Sequence, residues 1–140
     1  MKPNLVQLEE TGLNALNRQD YELAIKCFKK IIDTQPDYEH GSIHYHLACS
    51  YEDTGQLDLA KIYYKKALEH RPDDTVFLGG YVSYLYLHED LNEALSGYIQ
   101  LFKLEKSRGS DTAKTMEGLN AIAKKLRLSD EDLNTRIRNE

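Results

Sequence analysis

The chain has 140 residues and a formal net charge of −5, a length that suits one compact domain without disulfide staples. The acidic balance gives nucleic acid or an anionic membrane surface no long-range electrostatic pull. Apolar runs such as YVSYLYL at 81–87 fall far short of the ~20 residues that cross a bilayer. Cys27 and Cys49 have no C-x-x-C spacing. With no signal-peptide core in MKPNLVQLEE, the expected compartment is the cytoplasm, with both thiols reduced.

In chain order, LVQLEETGLNALNRQ places Leu5, Leu8, Gly12 and Ala15 on one side of a helix, and DYELAIKCFKKIIDTQPDY at 20–38 reads as an amphipathic helix closed by Pro36. SIHYHLACSYEDTG then aligns His44, Leu47, Ala48 and Tyr51. Thirty-six residues after the second helix, QLDLAKIYYKKALEHRPDD repeats it, matching Leu23 with Leu59, Ala24 with Ala60, Phe28 with Tyr64 and Pro36 with Pro72. TVFLGGYVSYLYLHE aligns Leu78, Tyr81, Val82 and Leu85. A weaker third copy follows at an offset of thirty-four, with Ala94 on Ala60 and Tyr98 on Tyr64, but Lys106 stands where proline stood and lets that helix run longer. A period of thirty-odd residues predicts a helical solenoid, because one such unit cannot bury its apolar face alone. Gly12 and Ala48 in the first helices and Ala24, Ala60 and Ala94 in the second predict small residues facing small residues across each hairpin. The glycines at 79–80 are expected to permit a further close approach. Two extra residues near YEHG at 38–41 lengthen the first inter-repeat turn.

A small residue in the first helix, alanine then an aromatic in the second, and a closing proline together resemble the tetratricopeptide repeat. Three repeats are placed at 5–38, 41–74 and 75–108. The third departs from the pattern at Val82 and Lys106, and Leu8, His44 and Leu78 stand where the family has an aromatic early in the first helix. The resemblance implies an all-α fold, a right-handed α-solenoid of three helix-turn-helix repeats plus one or two C-terminal helices, in a single domain over 1–140. The segment 111–140 is expected to cap it. There Asp111 starts a seventh helix with Met116, Leu119, Ile122, Ala123 and Leu126 on one face, and Ser129 with Asp132 forms a capping box for a short eighth carrying Leu133 and Ile137. Occupation of the groove by this segment, or assembly through it, are the alternatives.

Phosphate-loop, dinucleotide-binding, nucleophile-elbow and zinc-protease motifs do not occur, so the expectation is a non-enzyme that needs no cofactor and no metal. His40 and His44 have i, i+4 spacing, but His40 falls in a turn and His44 on a core-facing position. Lys26, Lys29, Lys30, Lys61, Lys65 and Lys66 read as a solvated outer face interleaved with Glu22 and Asp58 rather than as a nucleic-acid patch.

The resemblance further implies that ligands lie as extended or helical peptides along a concave groove lined by the first helix of each repeat. Helical spacing selects the stripe not used in packing: Val6, Glu9, Leu13, Leu16 and Asn17, then Ser42, Tyr45, Cys49, Glu52 and Asp53, then Val76, Gly79, Ser83, Tyr86 and Leu87. The stripe carries three carboxylates and no lysine or arginine. It therefore fits a protein or peptide with apolar anchors and basic residues, Tyr45 and Tyr86 serving as aromatic anchors and the carboxylates as rim charges. The family's carboxylate clamp, which receives acidic C-termini of chaperones with Lys and Asn or Arg, is absent: Glu9, Leu13, His46, Val76 and Gly80 occupy the corresponding positions. The expected function is a protein–protein interaction module, an adaptor or small chaperone. The alternative is a structural subunit forming a homodimer through its C-terminal helices.

Overall fold

Helical spacing, capping residues and tight turns build helices only; among residues 3–88 and 90–140, which the computed structural model describes, no strand occurs. The chain divides into two compact units, Met1–Phe77 and Leu78–Glu140.

The first unit contains the hairpin of α1 (Leu5–Asn17) and α2 (Tyr21–Thr34), a 3₁₀ turn (Tyr38–Gly41), the hairpin of α3 (Ser42–Asp53) and α4 (Leu57–His70), and the opening turn of α5 (Thr75–His88). The Asn4 amide oxygen and the Asp20 carboxylate accept from the Gln7 and Leu23 backbone N–H groups and start α1 and α2. Each hairpin turns through a left-handed residue, Gln19 and Gly55, after which the next amide bonds back to the helix end: Asp20 to the Ala15 carbonyl and Gln56 to the Tyr51 carbonyl, both at 2.8 Å. Ala15, Ala24, Phe28, Ile31, Ile43, Leu47, Ala48, Ala60 and Ala67 are completely buried.

Packing inside the first hairpin corrects the small-against-small expectation. A Cβ on Gly12 would lie 2.6 Å from Cε1 of Phe28, so the small residue seats a ring rather than Ala24. The lengthened turn at 38–41 is held in an unusual conformation, with Glu39, His40 and Gly41 all at positive φ. Gly41 cannot be replaced cheaply, because its φ is +99° and a Cβ would meet the Ala67 carbonyl at 3.0 Å and the Phe77 ring at 3.1 Å. Arg71 braces the turn by donating to the Glu39 carbonyl at 2.8 Å while pairing with Asp74 at 3.3 Å.

The second unit holds the remainder of α5, then α6 (Leu91–Ser107), α7 (Ala113–Lys125) and α8 (Asp130–Asn139). With no proline to stop it, α6 runs to 17 residues against 14 in α2 and α4. Here the small and large partners have exchanged helices. Val82 occupies the small position of α5, and Gly97 of α6 makes room for it, since a Cβ on Gly97 would stand 2.5 Å from Val82 Cγ1. Gly118 of α7 does the same for Tyr98 of α6, at 2.7 Å. Gly79 by contrast has only ordinary contact, 3.9 Å to Leu101, so the expected close approach is absent there.

Asp111 acts one residue earlier than expected: Thr112 is the residue before α7, and the Asp111 carboxylate accepts from the Ala113 amide at 2.9 Å. Buried Thr115 donates to Glu105 and ties α7 to α6, while Leu119, Ile122 and Ala123 form the covered face of α7. The capping box of Ser129 and Asp132 is present in both directions, and Leu133 buries α8.

The exchange between Val82 and Gly97 has a measurable consequence. Gly97→Ala is expected to destabilise the protein by about 1–3 kcal/mol through overpacking, and Gly97→Ala with Val82→Ala to recover part of that loss because the two side chains share one space. Thermal denaturation of the singles and the double variant decides it; a Gly97→Ala melting curve equal to that of the unmodified chain would show that the hairpin has room to spare.

Candidate functional site

In the first unit the stripe residues lie on α1, α3 and the start of α5, and none of them is fully buried. Val6 and Val76 expose 67% and 63% of their surface. Asn17 and Asp53 are exposed, while Glu9, Leu13, Leu16, Ser42, Tyr45, Cys49 and Glu52 are half-buried. The Tyr45 ring stacks on Phe77 at 5.2 Å between centroids and meets the Tyr64 ring edge-on at 5.9 Å. Tyr45 therefore presents a fixed, partly accessible ring.

Of the three carboxylates, Glu9 and Glu52 are half-buried and hydrogen-bonded, whereas Asp53 is exposed as expected of a rim charge. Tyr38 donates to Glu9 at 3.1 Å and Tyr64 donates to Glu52 at 2.6 Å, while exposed Asp53 lies near enough to Tyr21 to raise its phenol. Burial pushes the Tyr64 phenol far up, and the neighbouring Cys49 thiol and Glu52 push it further. Desolvation followed by the carboxylate partner raises Tyr38 and Tyr21 in the same way. The Tyr38 and Tyr64 phenols thus stay hydrogen-bond donors, and Glu9 and Glu52 are each held as an acceptor. Cys49 lies 3.7 Å from the Tyr64 hydroxyl, and burial raises its thiol as it raises that of Cys27, so neither cysteine is activated as a nucleophile.

These tyrosines were missed because single-helix periodicity does not see across a turn. One signal was available: Glu52 and Tyr64 are twelve apart, as are Tyr81 and Glu93, whose hydrogen bond measures 3.2 Å in the second unit. Twelve residues carry the chain from one helix of a hairpin to the facing turn of the next.

In the second unit Ser83 and Tyr86 are half-buried, and Leu87 exposes 62% of its surface. The ammonium of Lys125 lies 4.4 Å from the centroid of the Tyr86 ring, a contact that helical spacing alone does not reveal.

The sequence model of the tetratricopeptide repeat family matches residues 12–38 and 41–74. Those two stretches carry tetratricopeptide repeats. No curated protein matches the chain. Among solved structures, the tetratricopeptide fold of the first such domain of Spaghetti (RPAP3), bound to the HSP90 peptide SRMEEVD, is similar with a TM-score of 0.75 at 20% identity, covering 88% of this chain and 95% of that one. The Yersinia enterocolitica secretion chaperone SycD, in complex with a YopD peptide, gives 0.74 at 24% identity over 86% and 93%. The Sgt2 domain of Aspergillus fumigatus gives 0.74 at 19% identity over 89% and 80%. The family match ends with the second hairpin, where the closing prolines end, and the glycine exchange at Val82 and Gly97 marks how far the third tetratricopeptide-like hairpin has drifted.

Two of the histidines, His44 and His46, serve packing. His40 lies exposed in the 3₁₀ turn, whereas His44 is 5% exposed on α3, its ring 5.0 Å from that of His70 and 6.1 Å from that of Tyr63. The Nδ1 of His44 has no hydrogen-bond partner. His46 stacks on Phe28 at 5.5 Å. Burial lowers the His44 pKa, His70 and Lys66 lower it further, and Glu69 opposes them. With the folded value below the ordinary 6.5, the unfolded chain binds the proton more readily. Stability from this group is therefore complete above about pH 6.5 and is lost as pH falls through the depressed value. Denaturation measured at pH 7.5 and 5 should show a loss at the lower pH that shrinks in His44→Phe; an equal loss in both proteins would assign the acid sensitivity elsewhere.

Proposed function

We propose that the chain is a protein-interaction module, an adaptor or small chaperone, that takes a partner segment bearing apolar anchors and basic residues. The stripe residues of α1, α3 and the start of α5 form one contact set, and Ser83, Tyr86 and Leu87 form another. The observation that carries this reading is the pair of carboxylates Glu9 and Glu52, each accepting from a tyrosine, on the stripe that also holds the half-exposed Tyr45 ring. Acceptors held in place attract an ammonium or guanidinium without the cost of ordering a free side chain. The same charges disfavour an acidic segment such as SRMEEVD, the HSP90 peptide bound by the Spaghetti domain, and the positions corresponding to the family's carboxylate clamp hold Glu9, Leu13, His46, Val76 and Gly80 here. No helix of the described residues is long and apolar enough to cross a membrane, which fits a partner met in water.

A peptide array followed by binding titration tests this. Basic, apolar segments should be selected and SRMEEVD should not. Tyr45→Ala should weaken the selected segment by at least ~1 kcal/mol, as expected for a packed aromatic anchor. Glu52→Lys should slow association most strongly at low salt. Unchanged binding in both variants, with folding intact, would overturn the proposed site; a stable dimer in light scattering that is lost when α7 and α8 are altered would favour self-association instead.

A further inference from the structure

Four cation–ring contacts are found among the described residues: Lys66 on Tyr63 and Lys106 on Phe102 lie within one helix, at 5.0 and 5.8 Å, and Arg71 on Phe77 spans the short connection from α4 to α5, at 5.3 Å. The fourth is different in kind. Lys125 at the end of α7 reaches Tyr86 on α5 at 4.4 Å, the shortest of the four. Its position follows from the packing of α7. Gly118 lets that helix close onto Tyr98, where any Cβ would stand 2.7 Å from the ring, and Lys125 lies two helical turns further along the same face. Tyr98 and Tyr86 are themselves neighbours, the second phenol adding to the effect of burial in raising the first.

Tyr86 is only half-buried and Lys125 is exposed, so the contact sits at the surface. Lys125 offers no packing that the core of the second unit requires: Leu119, Ile122 and Ala123 already cover α7. What the side chain does is place an alkylammonium over the face of a ring that belongs to the proposed contact set. We infer that the accessible face of Tyr86 is an alkylammonium subsite, filled by Lys125 in the free protein and open to a lysine of a bound segment when Lys125 swings away. The inference rests on Tyr86 belonging to the binding surface and deepens that reading: it identifies the chemistry accepted at this ring and a competitor built into the chain. An exposed cation–π contact contributes about 0.5–1 kcal/mol, so the competitor weakens an incoming cation by roughly 2–5-fold.

The test uses the full chain with ring-labelled tyrosine, the Tyr86 resonances being assigned from Tyr86→Phe, and titrates capped lysine amide and its uncharged counterpart, capped norleucine amide. Capped lysine should shift the Tyr86 ring saturably, half-saturating at a roughly 2–5-fold lower concentration in Lys125→Ala than in the unmodified chain. Norleucine should leave the ring unmoved, and Lys125→Arg should retain the competition. Lys124→Ala removes the same charge from the adjacent exposed position and should behave as the unmodified chain. A peptide containing one lysine between leucines should bind more tightly than capped lysine, which separates a peptide side chain from a free amine as the natural occupant. Equal responses in Lys125→Ala and Lys124→Ala would reduce the effect to overall charge and overturn the subsite, as would equal shifts by lysine and norleucine. Because these probes are small amines, the outcome does not depend on Tyr45 or the carboxylates; a working subsite with a Tyr45→Ala variant that binds segments normally would sink the larger site and leave this one standing.

Discussion

A bulky side chain pressed against a residue that has none is the constraint on which both units depend. Phe28 against Gly12, Val82 against Gly97 and Tyr98 against Gly118 bring one helix backbone close to the side chain of its neighbour. Interiors are packed so tightly that one added methyl at such a point must displace a helix or a ring. The contact also fixes what stands next to it. His46 stacks on the seated Phe28 ring; with Tyr98 seated, α7 lies close enough for Thr115 to reach Glu105. Which helix contributes the small partner is secondary, and this explains how the third hairpin keeps its packing with valine at the position where the first has glycine. The condition concerns a pair, so either member can change if the other compensates.

That pairing also explains what the sequence reveals and what it conceals. The thirty-six-residue echo of 20–38 in 56–74 exposes the first two hairpins because both retain alanine, aromatic and proline in register. Helix limits, the long α6 and the capping box at Ser129 follow from local rules of spacing and hydrogen bonding. The partner of each small residue does not, because periodicity reports which side of a helix is apolar and not what lies opposite it. Reading small residues as facing one another was the natural error, and Gly97 and Gly118 passed unnoticed because they sit in helices whose repeat pattern had weakened. The stripe on α1 and α3 was legible as a surface, since none of its residues is fully buried. Its chemistry was not, since every tyrosine that orients a carboxylate there comes from another element.

Ten tyrosines and no tryptophan in 140 residues have a reason in this arrangement. A phenol joins an apolar body to a polar tip, so the ring can fill space between helices while the hydroxyl satisfies an acceptor at the edge. Tyr64 does both, being 2% exposed yet donating to Glu52, and Tyr81 repeats the device toward Glu93. Phenylalanine at 64 would take that donor from half-buried Glu52, and a polar group held away from water loses free energy with each partner it gives up.

The donors also change what the acidic groups contribute to recognition. A glutamate free on a helix surface gains little from one passing cation, because the Coulomb term in water is small and ordering a long side chain offsets it. Lys26, Lys29, Lys30 and Lys65 on α2 and α4 are exposed side chains of that kind. Glu9 and Glu52 differ, since their oxygens are already placed by Tyr38 and Tyr64 and their surroundings are partly apolar. Ordering has been completed on folding, and the lower local polarity makes each remaining acceptor position more effective. A phenol donor uses one lone pair and leaves the carboxylate its charge, so the site stays acidic while losing its freedom to turn away. On the proposed function, discrimination comes from sign as well as attraction: a basic side chain would meet oriented acceptors, whereas an acidic one would bring a second negative charge to groups that cannot move to relieve it.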